Sequence, residues 1–203
     1  MTDPGTASLR QFDEAHTPLL AEWLARPHVA RWHPDPEAWV EYALKPPIGG
    51  AQALIMFGGR PIGYLRWRRV SRETLNGVGL SKIPAGSVDI DILIGEADCV
   101  GCGFGARALS LLVEKLRQDA STPLVGLSPS VDNVAAQRAY AKAGLRSFAS
   151  TRRRVSGAWR SWSFVSSDRS RRQAILAVTS QYEFHVVALG TPQTVRANVV
   201  NQF

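Results

Sequence analysis

The stretch that most constrains this chain is residues 87–116, where a strand pattern, a glycine-rich turn and a helix pattern follow one another. In Val88–Ile94 every second residue is valine or isoleucine, and Asp89 and Asp91 alternate with them. This period of two predicts a strand with one buried face and one face directed at something polar. Residues 101–105 then place a glycine at every second position before the helix, where backbone amides can approach an anion.

A plain turn between strand and helix is the simpler interpretation of these glycines. The run Gly101-Cys-Gly-Phe-Gly is not the G-x-G-x-x-G of dinucleotide-binding folds, and no Gly-Lys-Ser/Thr follows as in a P-loop. A second segment favours a functional site. Residues 130–148 follow a short apolar strand, at 124–127, and predict a capped helix carrying Asn133 and Tyr140.

Together the two segments resemble the GCN5-related N-acetyltransferases (GNAT). The glycine turn and the run Asn133…Tyr140-x-Lys142-x-Gly144-Leu145 carry this resemblance. It implies an α/β (α+β) fold whose mixed central sheet is splayed at the acetyl-coenzyme A (acetyl-CoA) site, with helices on both faces. It also implies acetyl-CoA as co-substrate, bound by Ile92, Leu93, Ile94, Gly101, Gly103, Phe104, Gly105, Ala106 and Asn133.

Within the superfamily, the chain is most similar to the aminoglycoside 6'-N-acetyltransferases. This likeness covers about residues 7–166 and rests on the run Glu22–Val29 with Trp32, on Pro61-Ile-Gly-Tyr64, and on Ile90-Asp91 ahead of Gly95-Glu96. Siderophore-type acyltransferases share much of the amino-terminal part. The resemblance implies direct acetyl transfer, in a ternary complex, to a primary amine of an aminoglycoside, with the 6'-amino group expected and antibiotic resistance as the outcome.

An ammonium group is not a nucleophile, so such a site must attract a cation and remove its proton. Asp91, on the strand beside the expected thioester, is the candidate for both tasks. The resemblance gives Tyr140 the role of protonating the leaving thiolate or holding its sulfur, although half-buried packing is an equally common fate of a helix tyrosine. The predicted acceptor contacts are Trp32, Tyr64, Asp89, Asp91 and Ser128, the last standing where relatives often have aspartate.

The formal net charge of +7 suggests nucleic acid, but its distribution does not. Residues 1–150 carry 16 basic and 15 acidic side chains, whereas residues 151–203 carry 8 and 2. A basic tail can bind nucleic acid by counterion release, but it is more often a solvated end, so no nucleic-acid partner is expected. Cys99 and Cys102 are the only cysteines, and a lone C-x-x-C predicts neither a zinc site nor a disulfide here.

No run reaches the roughly 20 apolar residues of a membrane span, and the amino terminus lacks the form of a signal peptide. A cytoplasmic protein without a membrane partner is expected. Residues 1–167 are predicted to form the acetyltransferase domain, and residues 168–203 an extension that adds strands, mediates a homodimer by edge pairing, or is a poorly ordered accessory. The other predicted elements are a strand at 9–12, a helix from Thr17 or Pro18 to Leu24, an aromatic lid at 28–39, a helix at 36–44, strands at 51–57 and 61–70 joined by Gly58-Gly59, and a loop at 71–85.

Three functions remain open from the sequence. The first is the aminoglycoside acetyltransferase. The second is an acetyltransferase for another amine, such as a siderophore precursor, a polyamine or a protein amino terminus. The third is a non-catalytic protein that binds coenzyme A or nucleic acid. A polycationic acceptor needs several carboxylates, and Asp89, Asp91, Asp35 and Glu73 are the candidates to supply them.

Overall fold

The computed structural model describes residues 6–145, except positions 78, 79, 82, 128 and 131, and four short strands further along the chain. The strands are β1 (Ser8–Gln11), β2 (Gly50–Phe57), β3 (Arg60–Arg69), β4 (Val88–Ile94), β5 (Leu124–Leu127), β6 (Arg153–Val155), β7 (Ala158–Arg160), β8 (Ser163–Phe164) and β9 (Val187–Ala188). The helices are α1 (Thr17–Ala25), α2 (Pro27–Ala30), α3 (Pro36–Leu44), α4 (Arg72–Gly77), α5 (Phe104–Arg117) and α6 (Val134–Lys142).

The central sheet is mixed, as the resemblance implies. Strands β1 to β4 pair antiparallel in chain order, and β4 then pairs parallel with β5. The β4–β5 pairing ends at Ile90 opposite Leu127, so β4 continues to Ile94 without β5 beside it. This early end of the parallel pairing leaves one edge of β4 open over its last residues.

Helices cover both faces of this sheet. Helix α5 contributes one buried side to the core, and α1 with α3 supplies the core on the opposite face. Neighbouring residues of β2 alternate between the two cores, because successive side chains in a strand point to opposite faces: Ala53 and Ile55 belong to the first, Leu54 and Met56 to the second. The predicted class, a mixed sheet between helical layers, is confirmed.

The predicted hairpin forms between β2 and β3. Gly58 and Gly59 occupy its turn with φ angles of 56° and 80°, a region that residues with a Cβ rarely adopt. The turn sends β3 back through the middle of the sheet, between β2 and β4. As a result β3 has a neighbouring strand on each side.

Two predicted loops contain helices. The polar segment 71–85 includes α4, whose first turn is supported by the Ser71 hydroxyl accepting from Thr74 N–H and whose Leu75 is buried. The aromatic segment 28–39 begins inside α2 and ends inside α3, with the Asp35 carboxylate capping α3 through Ala38 N–H. The two helices that were not predicted, α2 and α4, are too short to show the apolar periodicity by which helices are predicted from sequence.

Two of the carboxyl-terminal strands, β8 and β9, pair with β5, whereas β6 and β7 pair with each other in a separate two-stranded sheet. Strand β8 pairs with Gly126 and Leu127, and β9 pairs with Leu124 and Val125. Strand β9 falls within residues 168–203, whose role as an extension stays a prediction. The boundary at 167/168, the homodimer and the Arg-rich segments beyond residue 167 lie outside the described residues. Within the described part of the chain, no helix is long and apolar enough to span a membrane.

Candidate active site

A cleft of about 760 Å³ opens beside the free edge of β4. Its size falls in the range of small-molecule sites, roughly 300–1,000 Å³. The walls come from β4, the glycine turn, the start of α5, helix α6 and the aromatic segment after α2. Lining residues that the sequence predicted are Trp32, Asp91, Ile92, Leu93, Ile94, Gly101, Gly103, Phe104, Gly105, Ala106, Asn133 and Tyr140.

The free edge of β4 presents backbone donors to this cleft. Gly95 N–H donates to Ile62 O on the β3 side. Because successive residues of a strand alternate in direction, the amides of Ile92 and Ile94 point to the opposite edge, beyond the last β5 pair at Ile90. Preorganised N–H groups in such a place can stabilise a carbonyl oxygen that gains negative charge.

The glycine turn leads from β4 into α5 with an unusual backbone. Gly101 and Gly103 have φ angles of 80° and 92°, and Gly103 is the amino-terminal cap of α5. No neighbouring side-chain or backbone atom lies within 4 Å of where a Cβ on Gly101 would stand. The turn therefore combines open space with amides at a helix amino terminus, which fits the pyrophosphate of acetyl-CoA.

Asp91 lies on the cleft wall and is paired. Arg66 stands directly opposite it in the β3–β4 register, and Arg66 Nε donates to Asp91 Oδ2 at 2.9 Å. The Asp91 side chain is nevertheless 37% exposed. Its remaining lone pairs are thus available to a ligand in the cleft.

Asp89 does not line the main cleft. It faces a small side pocket that also touches Asp91, and Arg68 Nη2 lies 3.6 Å from its Oδ2. Burial, followed by the neighbouring Asp91, raises the pKa of Asp89 to about 7. The structure therefore does not bring Asp89 to the main cleft with the other predicted acceptor contacts.

Tyr140 and Asn133 both lie on or next to α6. Tyr140 is half-buried, and burial, with a smaller contribution from Asp91, raises the pKa of its phenol above the ordinary value. Asn133 caps α6, its side-chain oxygen accepting from Ala136 N–H at 3.0 Å. Asn133 is therefore the residue at which α6 starts, and it also borders the cleft.

Three predicted acceptor contacts have different outcomes. Trp32 lines the cleft, with the Arg31 guanidinium 4.3 Å from the centre of its ring. Tyr64 does not reach the cleft: its side chain is fully buried, and its hydroxyl donates to Gln52 Oε1. The prediction for Tyr64 is wrong as a contact surface, because the opposite helical layer covers this position of β3. Ser128 lies outside the described residues.

A junction at the end of β4 was missed from the sequence. The Trp23 indole lies on Gly95 so closely that a Cβ there would stand 2.2 Å from the ring, and Trp23 Nε1 donates to Glu96. Arg26 binds the same Glu96 at 2.9 Å and the Gly95 carbonyl at 3.0 Å. One indication of this contact was present in the sequence: the run Glu22–Val29 and the pair Gly95-Glu96 both carry the family resemblance. They lie far apart in the chain, so their contact was not predicted.

The cysteines add no metal chemistry among the described residues. Cys99 is buried, and burial raises the pKa of its thiol; Cys102 is partly buried, and both are free. No group of three or more His, Cys, Asp or Glu side chains in the described ranges could hold a metal ion. Cys99 lines the cleft beside Val100, in keeping with small residues next to a cofactor.

Comparison with known proteins agrees with this geometry. Residues 13–152 match the family described as the Acetyltransferase (GNAT) domain. The chain belongs to the GNAT acetyltransferases. It is 30% identical, over 148 residues, to aminoglycoside N(6')-acetyltransferase type 1 of Klebsiella pneumoniae, covering 68% of this chain and 73% of that protein.

Solved structures of an aminoglycoside acetyltransferase, AAC(6')-Ib, share the fold. The complex with paromomycin and acetyl-CoA has a TM-score of 0.64 and 25% identity, covering 77% of this chain and 91% of that one. The complex with coenzyme A and kanamycin has a TM-score of 0.63 at the same identity, covering 77% and 92%. These GNAT relatives thus bind the co-substrate and the class of acceptor that the sequence predicted.

Proposed function

We propose that this GNAT protein transfers the acetyl group of acetyl-CoA to a primary amine of an aminoglycoside, the 6'-amino group being the expected one. The observation that carries the proposal is Asp91, an exposed carboxylate on the same cleft wall as the free amides of β4. The 30% identity to an aminoglycoside N(6')-acetyltransferase supports the acceptor class. Resistance to the drug follows, and a cytoplasmic location is expected, because acetyl-CoA is found there.

In this proposal Asp91 attracts the ammonium group and accepts its proton, directly or through water. The freed amine nitrogen then forms its bond to the thioester carbonyl carbon, and the carbon–sulfur bond breaks. The Ile92 and Ile94 amides would bind the carbonyl oxygen, and the turn at Gly101 and Gly103 the pyrophosphate. After the nitrogen–carbon bond forms, the nitrogen still carries a surplus proton, which passes through water to the departing sulfur, so that coenzyme A leaves as the thiol.

Tyr140 is assigned to the leaving sulfur. Burial raises its pKa, so the phenol keeps its proton at neutral pH and can donate a hydrogen bond to a thiolate. The same shift makes complete proton release costly. Of its two predicted roles, holding the sulfur is therefore favoured over full protonation of it.

A second acceptor class is favoured by one observation. Both strand aspartates face arginines, Asp91 with Arg66 and Asp89 with Arg68. This pairing reduces the negative charge offered to a polycation, so an amine with fewer charges, such as a siderophore precursor, is the alternative acceptor.

The test is release of free coenzyme A from acetyl-CoA with kanamycin, tobramycin, gentamicin and spermidine as acceptors. Wild type is compared with Asp91→Asn and with Asp119→Asn, which removes a carboxylate that binds Arg69 outside the cleft. We expect turnover of aminoglycosides that falls roughly 100-fold or more in Asp91→Asn and persists in Asp119→Asn. Turnover of spermidine alone would exclude aminoglycosides as the acceptor and point to a linear polyamine. An unaffected Asp91→Asn would remove this residue from the reaction.

A further inference from the structure

Arg66 holds the Asp91 carboxylate from the side of β3. The two residues are directly opposite in the ladder, 25 positions apart in the chain, with Arg66 Nε 2.9 Å from Asp91 Oδ2. The Arg66 side chain is 14% exposed, against 37% for Asp91. The arginine is thus the shielded member of the pair, and the carboxylate is the more exposed member, on a residue that lines the cleft.

Two aromatic rings of α3 hold the guanidinium in turn. The carbon at its centre lies 4.1 Å from the middle of the Trp39 ring and 4.5 Å from that of Tyr42. The Tyr42 hydroxyl donates to Trp67 O at 2.9 Å, which ties that ring to β3. A planar guanidinium stacks on such rings, whereas a lysine ammonium cannot do so in the same way.

The stack continues towards the segment that carries Trp32. The His33 ring packs edge-on against Trp39, with centres 4.4 Å apart and planes at 70°. Trp32, the preceding residue, lines the cleft. The same aromatic column therefore contacts both the lid segment and the arginine that binds Asp91.

We propose that Arg66 is a positioning residue, which with Trp39 and Tyr42 fixes the Asp91 carboxylate in the orientation that receives the acceptor amine. This inference rests on the proposed function, because it needs Asp91 to meet the amine. A catalytic group held by packed neighbours loses less freedom on reaching the reactive geometry, and a misplacement of 1 Å can cost about 100-fold in rate.

The neighbouring Arg68–Asp89 pair also balances an aspartate with an arginine, but without the close contact seen between Arg66 and Asp91. It occupies the next equivalent register position, yet its closest N–O distance is 3.6 Å and Arg68 is 46% exposed. Because Arg66 also cancels much of the negative charge of Asp91, recognition of the amine at this position depends on the placement of the oxygens more than on a strong negative field. Among the described residues, the other ionisable groups that act on this pair include Asp89, Arg68, Tyr42, Tyr64 and Tyr140.

The experiment is a double-mutant cycle on the amine that the wild type acetylates fastest. Arg66→Gln should lower kcat/KM for that amine about 10- to 100-fold, with KM for acetyl-CoA within about 2-fold of wild type. Arg66→Lys should recover only part of the loss, since it restores charge but not the planar stack. In an Asp91→Asn background, Arg66→Gln should change kcat/KM by less than about 2-fold, because its effect passes through Asp91.

Arg69→Gln is the matched control for loosening of β3. Arg69 is the last residue of β3, and it donates to Gly86 O, Thr122 Oγ1 and Ser121 O, none of which lines the cleft. This variant should lower the melting temperature yet keep kcat/KM at an assay temperature well below melting. Multiplicative losses in the double variant, or equal kinetic losses in Arg66→Gln and Arg69→Gln, would overturn the positioning role.

The outcomes of this experiment distinguish a failure of the Arg66 inference from a failure of the proposed function. If aminoglycosides are inactive but another amine is acetylated, the proposed acceptor is wrong and the Arg66 cycle is still decided on the active amine. A wild type that acetylates none of the amines would overturn both proposals together.

Discussion

The two walls of the cleft are built by different means. The wall assigned to acetyl-CoA consists mainly of backbone: the positive-φ glycines, the start of α5 and the free edge of β4. The wall assigned to the acceptor consists of side chains from distant elements, such as Arg66 on Asp91 and Trp39 on Arg66. A backbone site constrains a short run of sequence, whereas a side-chain site depends on partners that only the folded sheet brings together.

Gly95→Ala should disturb both walls of the cleft, because it displaces the end of β4, which contributes to each wall. A Cβ at this position would stand 2.2 Å from the Trp23 ring, so the ring or the strand must move. Overpacking of this kind costs about 3 kcal/mol at the upper end, which corresponds to a fall in Tm of about 6–12 °C. The melting temperature and the rate of turnover should both fall.

The control for Gly95→Ala is Gly77→Ala. Gly77 ends α4 without a positive φ, and nothing lies within 4 Å of its added Cβ. It should leave Tm within about 1–2 °C of wild type. Equal melting temperatures for the two variants would show that Trp23 does not press on Gly95.

Tyr140→Phe should separate chemistry from binding. Removing the hydroxyl takes away the donor proposed for the leaving sulfur, so kcat should fall roughly 100-fold. KM for either substrate should change little, because the ring still packs against the core. Steady-state kinetics test this, and a rise in KM with unchanged kcat would assign Tyr140 to binding instead.

Gly103→Ala should weaken the backbone wall alone. An alanine at φ 92° is strained by about 1–2 kcal/mol, and the start of α5 must shift to relieve it. We expect the Kd for coenzyme A to rise about 10-fold, measured by calorimetry. Gly58→Ala, at φ 56° in the β2–β3 turn, also places an alanine at positive φ but outside the residues that line the cleft, and it should leave the Kd unchanged. Equal affinities in both variants would contradict the assignment of the turn.

Glu96→Gln should give the smallest effect. Hydrogen bonds from Arg26 and Trp23 lower the pKa of Glu96 below its ordinary 4.5. A carboxylate with a depressed folded pKa stabilises the protein above its unfolded pKa, and this contribution is lost as pH falls through the folded value. The variant should therefore melt a few degrees lower at pH 7, by about 1 kcal/mol. Melting curves between pH 7 and pH 3 should show the gap close on the acid side; a gap independent of pH would contradict this.

Much of the fold was predictable because its signals are local. Strand β4 has the bounds that its alternation predicted. Helix α5 begins at Phe104, so that Gly105 lies inside the helix and not in the turn before it, and α6 occupies the middle of the predicted segment 130–148. Helix α4 was missed because Leu75 is the one buried residue in its six, too few to show a helical period. A short polar helix and a polar loop look alike in sequence.

The residues that the sequence singled out lie along one wall of the cleft, whereas only some residues of the other wall were among them. Asp91 was found from the strand pattern, but Arg66 was not, because the register that sets them opposite each other depends on the β3–β4 pairing. The burial of Tyr64 was not predicted either. Its alternation along β3 was visible, while the layer that covers it, Phe12 with Trp39, comes from elsewhere in the chain.

Strand β4 also offers a built-in reference for measuring ligand binding. The Gly95 amide is bonded to β3 and should exchange its hydrogen with solvent slowly at all times. Those of Ile92 and Ile94 lie on the edge without a partner strand, so their exchange should be fast until acetyl-CoA occupies the cleft. Neighbouring residues of a single strand would then report fold integrity and site occupancy separately, within one spectrum.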